Sequence, residues 1–203
     1  MSVSEKQLLR NHVRKLQSEA VAVEILEGSV AIRSHLEQFS AFQAASVVYG
    51  FAPLPGEPDW ILDALPPDKV YAFPRVTGRH VDFFVAESLT ELVPGAYGVR
   101  EPLTGSPAPP PGLILVPGMA FDGQGHRLGR GRGFYDHILK TFPGYRLGVA
   151  FAKQLFLSVP FEPHDEPVHA ILTECGVQLS GGGTAHHSHE ARSEGFHRPG
   201  RAS

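Results

Sequence analysis

The amino-acid sequence predicts an α/β fold of three layers, in which helices flank a mostly parallel sheet. From residue 46 onward, short runs of β-branched and aromatic residues alternate with stretches of helical spacing. This alternation is typical of a layered α/β sheet. The run Leu113–Val116 is apolar at four consecutive positions, as expected of a strand buried on both faces.

Two helices are predicted at the N-terminus. Apolar residues recur at helical spacing from Ser4 to about Ser18, while Lys6, Arg10 and Arg14 lie four residues apart on another side. A second helix is predicted from about 20 to 42, and Gly28 is a candidate break within it.

Six strands are predicted after these helices. They lie at 46–52, 69–76, 80–86, 112–122, 146–152 and 169–179. Further helices are predicted after Pro58, with Asp59 in the first turn, and at 134–142. The proline-rich stretch 104–112 is expected to run extended over the surface without marking a domain boundary.

The length of 203 residues suits one domain with a sizeable core. We therefore predict a single α/β catalytic domain at 1–180 and a disordered low-complexity tail at 181–203. The tail carries His186, His187 and His189, for which a disordered tract is favoured over a metal site.

The overall composition is that of an ordinary soluble protein. A formal charge of −3 gives no general attraction to nucleic acid or anionic membranes. The single cysteine, Cys175, excludes an intrachain disulfide and a cysteine metal cluster, and fits a reducing compartment. The N-terminus is polar, and no run approaches the roughly 18 apolar residues of a membrane span. We expect a soluble, cytoplasmic protein.

The segment Arg127–Asp136 carries the clearest chemical signal. Three glycines alternate with two arginines immediately before a predicted helix. Glycines allow close backbone approach, a helix N-terminus favours anions, and arginines donate in pairs to phosphate. A polyphosphate site is therefore indicated, although the lysine and hydroxyl residue of a P-loop are missing. The pattern alone leaves open a flexible turn with solvated arginines, or an RGG-like RNA-binding patch.

The string VPGMAFDGQGHRLGRGRGFYDHIL, Val116–Leu139, resembles the signature of the 5-formyltetrahydrofolate cyclo-ligase family, also called methenyltetrahydrofolate synthetase. Blocks at 56–62, 73–76, 100–103 and 163–174 resemble further family blocks in family order, so the resemblance extends over about 5–177. It implies a NagB/RpiA/CoA transferase-like sheet. It also implies a C–N ligase of one-carbon metabolism, which closes 5-formyltetrahydrofolate to 5,10-methenyltetrahydrofolate and releases ADP and phosphate from ATP.

The resemblance assigns a role to individual positions. Glu57 and Ala52 would bind the folate substrate, and Asp136 and Asp165 would bind Mg²⁺. The implied ATP-binding residues are Lys6, Arg10, Arg127, Leu128, Gly129, Arg130, Gly131, Arg132, Gly133, Phe134 and Tyr135. Of these, Arg127, Arg130 and Tyr135 are also the implied catalytic residues.

Several neighbouring positions complete these expectations. His164 is expected in a turn or beside the metal ligands, since Mg²⁺ prefers oxygen. The residues Phe51, Pro53, Pro58 and Trp60 are expected to offer apolar surface to the pterin ring.

The chain departs from the family pattern at two places. Phe134 stands where the family has a tyrosine, and Val168 and His169 stand where it often has an aspartate. At Phe134 the question is whether the missing tyrosine hydroxyl had a role. At Val168 and His169 the question is how the local packing differs.

Two other functions remain open from the sequence. One is a non-catalytic relative of the same fold that binds nucleic acid; the other is an ATP-dependent enzyme acting on another small molecule, because a fold does not fix a substrate. For the favoured function we expect small-molecule substrates, no nucleic-acid or membrane partner, and a monomer or weak dimer.

Overall fold

The computed structural model describes residues 4–78 and 80–181. It opens with three helices: α1 at Glu5–Ser18, α2 at Ala22–Gln38 and α3 at Ser40–Ala44. Ser4 caps α1, since its hydroxyl accepts a hydrogen bond from the Gln7 amide. The predicted N-terminal helices are confirmed.

The predicted break at Gly28 is wrong, because α2 runs through this position. A β-carbon at Gly28 would lie 2.8 Å from the ring of Phe151, so the glycine brings the helix close to the sheet. The helical run is interrupted instead at Phe39, whose backbone is extended. The Phe39 ring makes an edge contact with Tyr145 at 5.6 Å between centroids.

The remaining described chain forms short strands and one more helix. Their bounds are β1 Val47–Tyr49, β2 Val70–Thr77, β3 His80–Val85, β4 Leu92–Pro94, β5 Arg100–Pro102, β6 Leu113–Pro117, β7 Ala120–Asp122, β8 Arg127–Leu128, α4 Phe134–Thr141, β9 Tyr145–Val149, β10 Leu155–Phe156, β11 Ala170–Thr173 and β12 Gly176–Leu179.

Seven of the strands form one sheet in the order β12-β11-β9-β6-β1-β2-β3. The five central strands pair in parallel, while β3 and β12 add an antiparallel strand at each edge. The mostly parallel α/β sheet predicted from the sequence is therefore confirmed.

Strand β6 shows how the layers are held together. Leu113 and Leu115 point into the core shared with α2, whereas Ile114 and Val116 point into the core shared with α4. All four side chains are fully buried. A strand covered on both faces needs apolar residues at every position, which explains the continuous apolar run.

The predicted helix after Pro58 is wrong, because residues 58–66 form a series of turns. The Asp59 carboxylate accepts hydrogen bonds from the amides of Ile61 and Leu62, as at a helix start. Leu62 then adopts a φ of 57°, which ends any helix.

The carbonyl groups of this turn segment are satisfied from outside it. The guanidinium group of Arg33, on α2, donates to the carbonyls of Trp60, Ile61 and Ala64. A helix would have bonded these groups internally. Arg33 thus holds the turns against α2.

The predicted final strand at 169–179 is two strands joined by a tight turn. Strands β11 and β12 pair antiparallel, and Gly176, at a φ of 121°, follows the turn. The Thr173 hydroxyl accepts a hydrogen bond from the Cys175 amide, which stabilises the reversal.

A small sheet with the order β10-β7-β8 lies beside the main one. Val13 of α1 packs in one cluster with Met119, Leu128 and Val159. This packing brings the basic side of α1 next to the segment that follows β8.

The remaining expectations concern a membrane-spanning helix and the C-terminal tail. No helix among residues 4–78 and 80–181 is long and apolar enough to cross a membrane. The predicted tail at 181–203, with its histidines, lies outside the described residues except for Gly181.

Gly50 follows β1 and provides a test of this packing. A β-carbon there would lie 2.5 Å from the fully buried ring of Trp60. We expect Gly50→Ala to lower the free energy of unfolding by about 1–3 kcal/mol, as overpacking does, measured by chemical denaturation. Gly123→Ala is the matched control, because its β-carbon would meet its nearest neighbour at an ordinary 3.6 Å. Equal stability of the two variants would contradict the packing described.

Candidate functional site

A pocket lies at the carboxyl ends of β1 and β6, where the chain turns in opposite directions to reach β2 and β9. Such a switch point is the usual ligand site of open α/β sheets. The pocket is lined by every residue named as a candidate for catalysis or for binding ATP, metal or, in the case of Glu57 and Ala52, folate. The structure therefore brings together residues that are up to 159 positions apart in the chain.

Arg127, on β8, lies at the base of the pocket with only 4% of its side chain exposed. Its guanidinium group donates to Asp136 Oδ1 at 2.5 Å and to the Pro117 carbonyl at 3.4 Å. The Arg127 Nε atom is buried and has no hydrogen-bond partner among the described residues. One strong donor thus remains for a bound group.

The glycines between Arg127 and Asp136 set the backbone of the loop. Gly131 and Gly133 have φ values of 97° and 72°, which side chains with a β-carbon rarely adopt. Gly133 is also the residue that precedes α4. The loop therefore delivers the chain to a helix N-terminus whose first residues line the pocket, and a helix N-terminus favours an anion.

Arg130 reaches across the pocket to Glu57. Its Nε and Nη2 atoms lie 3.2 and 2.7 Å from Glu57 Oε1. Glu57 is buried in the loop after β1, and its other oxygen accepts the Leu54 amide at 3.0 Å. The pair joins the glycine loop to the wall that carries the predicted folate contacts.

Lys6 and Asp165 form a third ion pair, with 2.6 Å between Nζ and Oδ2. Burial alone would lower the pKa of Lys6, but the hydrogen bond and charge of Asp165 raise it above its ordinary value. Burial alone would raise the pKa of Asp165, but the hydrogen bonds from Lys6 and the Glu162 amide hold it below its ordinary value. Both groups are therefore charged at neutral pH.

Arg10 lies one helical turn after Lys6 and contacts the glycine loop directly. Its Nε atom donates to the Gly129 carbonyl at 3.0 Å. The predicted grouping of these two cations on one face of α1 is present, whereas Arg14 is exposed and donates to Asn11 on its own helix.

Tyr135 contributes a neutral hydroxyl to the pocket. Burial raises the pKa of Tyr135, and the charge of Arg127 opposes that shift only in part. The hydroxyl oxygen is inaccessible to solvent and has no hydrogen-bond partner among the residues that the structure describes. A buried donor of this kind is costly unless a ligand satisfies it.

Two carboxylates of the pocket offer oxygen ligands to a divalent cation. One carboxylate oxygen of Asp136 and one of Asp165 contact a basic side chain. Beside Asp165, ligand atoms of Glu162 and His164 complete a group within 4.8 Å. His164 is an exposed turn residue 3.7 Å from Asp165 Oδ1.

Several lining residues carry no role in the predictions. The loop between β4 and β5 contributes Tyr97 and Val99, and β5 contributes the buried Glu101. Glu101 lies in the block at 100–103 that resembles a family block, whereas Tyr97 lies outside every such block. Apolar wall residues come from the β2–β3 hairpin: Pro74, Val76 and Val81.

Of the four residues expected to offer apolar surface to a ring system, one lines the pocket. Phe51 lines the pocket. Trp60 does not, because it is fully buried in the core and donates from Nε1 to the Phe51 carbonyl at 3.0 Å. Pro53 and Pro58 are also outside the pocket lining.

The departures from the family pattern have different surroundings. Phe134 lies in the pocket wall, with its ring centroid 5.9 Å from that of Tyr97. Val168 is buried in the core on the α4 side. Burial and the charge of Arg146 lower the pKa of His169, whose Nδ1 accepts the Arg146 amide. Neither Val168 nor His169 lines the pocket.

Comparisons with known proteins show which proteins the chain resembles. The 5-formyltetrahydrofolate cyclo-ligase of Mus musculus is 40% identical over 68 residues, 30% of this chain and 34% of that protein. The enzyme of the same name from Mycolicibacterium smegmatis is 38% identical over 94 residues, 40% of this chain and 45% of that protein. The chain thus spans less than half the length of these two curated relatives.

Solved structures give longer matches. The NMR structure of 5,10-methenyltetrahydrofolate synthetase from Aquifex aeolicus has a TM-score of 0.78 at 30% identity, covering 93% of this chain and all of that one. A 5,10-methenyltetrahydrofolate synthetase from Mycoplasma pneumoniae has a TM-score of 0.67 at 16% identity, covering 84% of this chain and 99% of that one, and supports the fold.

The sequence model of one protein family matches almost the entire described chain, from residue 2 to residue 174. The match includes α1, the glycine loop and Asp165, which are the separate parts of the pocket. The chain belongs to the 5-formyltetrahydrofolate cyclo-ligase family.

Proposed function

We propose that the protein closes 5-formyltetrahydrofolate to 5,10-methenyltetrahydrofolate at the expense of ATP, with release of ADP and phosphate. One observation carries the proposal: three cation–carboxylate pairs lie in one pocket beside a helix N-terminus. The cations suit a polyphosphate, and the carboxylates suit a metal ion and a pterin.

The triphosphate of ATP would bind at the glycine loop. Arg127, Arg130 and Lys6 supply positive charge, and the first amides of α4 supply directed donors. The buried Nε of Arg127 and hydroxyl of Tyr135 have no hydrogen-bond partner among the described residues, and each would gain one from a phosphate oxygen that reaches it. Arg10 supports the loop through the Gly129 carbonyl and adds charge to the same wall.

The carboxylates Asp136 and Asp165 fit Mg²⁺, which takes one or two protein carboxylates together with phosphate oxygens and water. Asp165 is ionised because its pKa is held below the ordinary value by Lys6 and the Glu162 amide, against the effect of burial. Bound here, Mg²⁺ would neutralise charge that develops on the phosphates.

The pterin would bind on the opposite wall. Glu57 is a buried carboxylate whose lone pairs match the adjacent N–H donors of a pterin edge. Phe51 and Ala52 supply apolar surface beside it. The Arg130–Glu57 pair would then adjoin both ligands, with the terminal phosphate close to the folate.

The reaction has two steps. The formyl oxygen attacks the terminal phosphorus, the bond from that phosphorus to ADP breaks, and the formyl group becomes an O-phosphorylated iminium that is still bonded to nitrogen-5. The lone pair of nitrogen-10 then attacks the formyl carbon, the carbon–oxygen bond breaks, phosphate leaves, and the N–H proton passes to solvent. The protein positions the reactants and stabilises charge.

Arg127, Arg130 and Tyr135 contribute to these steps without forming a covalent bond. The arginines hold the transferred phosphoryl group, and Tyr135 donates from a hydroxyl that stays protonated because burial raises its pKa. Under this proposal the pocket binds only small molecules, and the reaction needs no nucleic-acid or membrane partner.

We also propose a cytoplasmic location and a monomeric or weakly dimeric state. The free thiol of Cys175 is compatible with a reducing compartment. A relative from Arabidopsis thaliana is named a mitochondrial cyclo-ligase, so fractionation with compartment markers is the appropriate check.

The reaction is tested by mixing the protein with 5-formyltetrahydrofolate and Mg-ATP and following the absorbance of the methenyl product. We expect product in equal amount to the ADP released. Omission of ATP or addition of a chelator should stop the reaction. A folded protein that forms no product would contradict the proposal.

Glu57→Gln tests the folate wall. Loss of the carboxylate removes one charged acceptor, so KM for 5-formyltetrahydrofolate should rise by about 10- to 100-fold, corresponding to the 1.5–3 kcal/mol of a charged hydrogen bond. The exposed Glu24→Gln on α2 is the matched control and should leave both KM values unchanged. A rise confined to KM for ATP would contradict the assignment of Glu57.

Asp165→Asn tests the metal assignment. Because the variant loses one anionic oxygen ligand, it should need at least about tenfold more Mg²⁺ for half-maximal rate, as expected for a lost ligand interaction. The exposed Asp63→Asn should behave like the wild type. An unchanged Mg²⁺ requirement in Asp165→Asn would show that this carboxylate does not hold the ion.

A further inference from the structure

The loop between β4 and β5 carries a tyrosine that the proposed reaction does not yet use. The Gly95 amide donates to the Val99 carbonyl at 2.8 Å, which closes a short loop with Tyr97 at its tip. Tyr97 has a φ of 58° and a ψ of 22°, and its side chain is 55% exposed. A large residue in the left-handed region is strained, and such strain concentrates at ligand clamps.

The Tyr97 ring faces the glycine loop across the pocket. The Arg132 guanidinium carbon lies 4.3 Å from its centroid, a cation–π distance. The ring of Phe134 lies 5.9 Å away at an interplanar angle of 42°. Tyr97 therefore spans from the β4–β5 loop to the segment assigned to the triphosphate.

The base of this loop is fixed by Glu101. Its buried carboxylate accepts the Val76 amide at 3.3 Å. A β-carbon on Gly95 would lie 2.5 Å from the Glu101 carboxyl carbon, so the loop backbone packs directly on that group. Glu101 is a positioning residue, because it sets where the tip of the loop can lie.

Three valines, Val76, Val81 and Val99, line the same pocket as Tyr97, together with the buried Glu101. A flat aromatic group suits these apolar side chains, whereas a triphosphate does not. With the pterin on Glu57, the next part of a folate along its length is the p-aminobenzoyl ring, whose amine is nitrogen-10. Orientation of that ring governs the approach of nitrogen-10 to the formyl carbon.

We propose that Tyr97 is a substrate-binding residue whose ring packs against the p-aminobenzoyl group of the folate and orients nitrogen-10 for closure. The inference rests on the proposed function and extends it to a residue outside the sequence-assigned site. The aromatic ring, rather than the hydroxyl, makes the contact.

Tyr97→Gly tests the contact, because glycine accepts the same backbone conformation and the whole side chain is removed. We expect KM for 5-formyltetrahydrofolate to rise about tenfold, the effect of one lost aromatic contact. KM for ATP should change less than about twofold, a difference of a few tenths of a kcal/mol. Tyr97→Phe keeps the ring and should recover most of the affinity. The exposed Leu103→Ala serves as the control outside the pocket.

Binding without turnover separates this inference from the proposed reaction. Calorimetric titration of 5-formyltetrahydrofolate into each variant, without ATP, should show the same order of affinity. If Tyr97→Gly does not fold, Tyr97→Asn replaces it, since asparagine tolerates this conformation.

The outcomes are distinct. Wild-type protein that neither binds nor converts the folate overturns both proposals. Active wild-type protein with unchanged folate affinity in the glycine variant overturns this inference alone. A rise confined to KM for ATP would assign the Tyr97 ring to adenine. If Tyr97→Phe binds the folate as weakly as Tyr97→Gly, the effect comes from the hydroxyl. Either result also overturns this inference.

Discussion

The buried Arg127 guanidinium group is the contact on which the pocket depends. It ties β8 to the start of α4 through Asp136 and to the end of β6 through the Pro117 carbonyl. The glycine loop lies between these two anchored ends, and its residues line the pocket. Removing one member of a buried charged pair costs several kcal/mol, on the order of 3–5.

Two further pairs bring distant parts of the chain to the same place. Arg130 carries the loop to Glu57, and Lys6 carries α1 to Asp165. Each pair combines a cation suited to phosphate with a carboxylate suited to the metal ion or the pterin. Binding of the substrates can therefore exchange partners instead of desolvating unpaired charges, which keeps the cost of binding low.

Much of the architecture follows from the sequence because strong patterns mark it. The continuous apolar run of β6 required a strand covered on both faces, and the amphipathic spacing of α1 required a helix. The errors arose where tertiary contacts override local preference. Arg33 binds carbonyl groups of the segment 58–66, the missing side chain of Gly28 leaves room for the Phe151 ring, and a turn before Gly176 divides the final strand. The local sequence does not reveal these features, because the contacting residue is distant in the chain or the chain reversal depends on a single backbone angle.

The site residues were predictable to the extent that a continuous motif carried them. The glycine loop, Glu57 and Asp165 lie in recognisable blocks and all line the pocket. Tyr97 and the wall residue Val76 have no such signal, since only the pairing of β2 with β3 and the loop from β4 to β5 bring them to the pocket. Trp60 was predicted from the sequence to contact the pterin, but its side chain is fully buried in the core.

The most direct test of the account follows one oxygen atom. If the pocket positions the terminal phosphate of ATP against the formyl oxygen, that oxygen must leave with the phosphate. 5-Formyltetrahydrofolate labelled with ¹⁸O in the formyl group is therefore converted with unlabelled Mg-ATP, and the released phosphate is analysed by mass spectrometry. The account predicts one labelled oxygen in each phosphate. Methenyl product accompanied by unlabelled phosphate would contradict it.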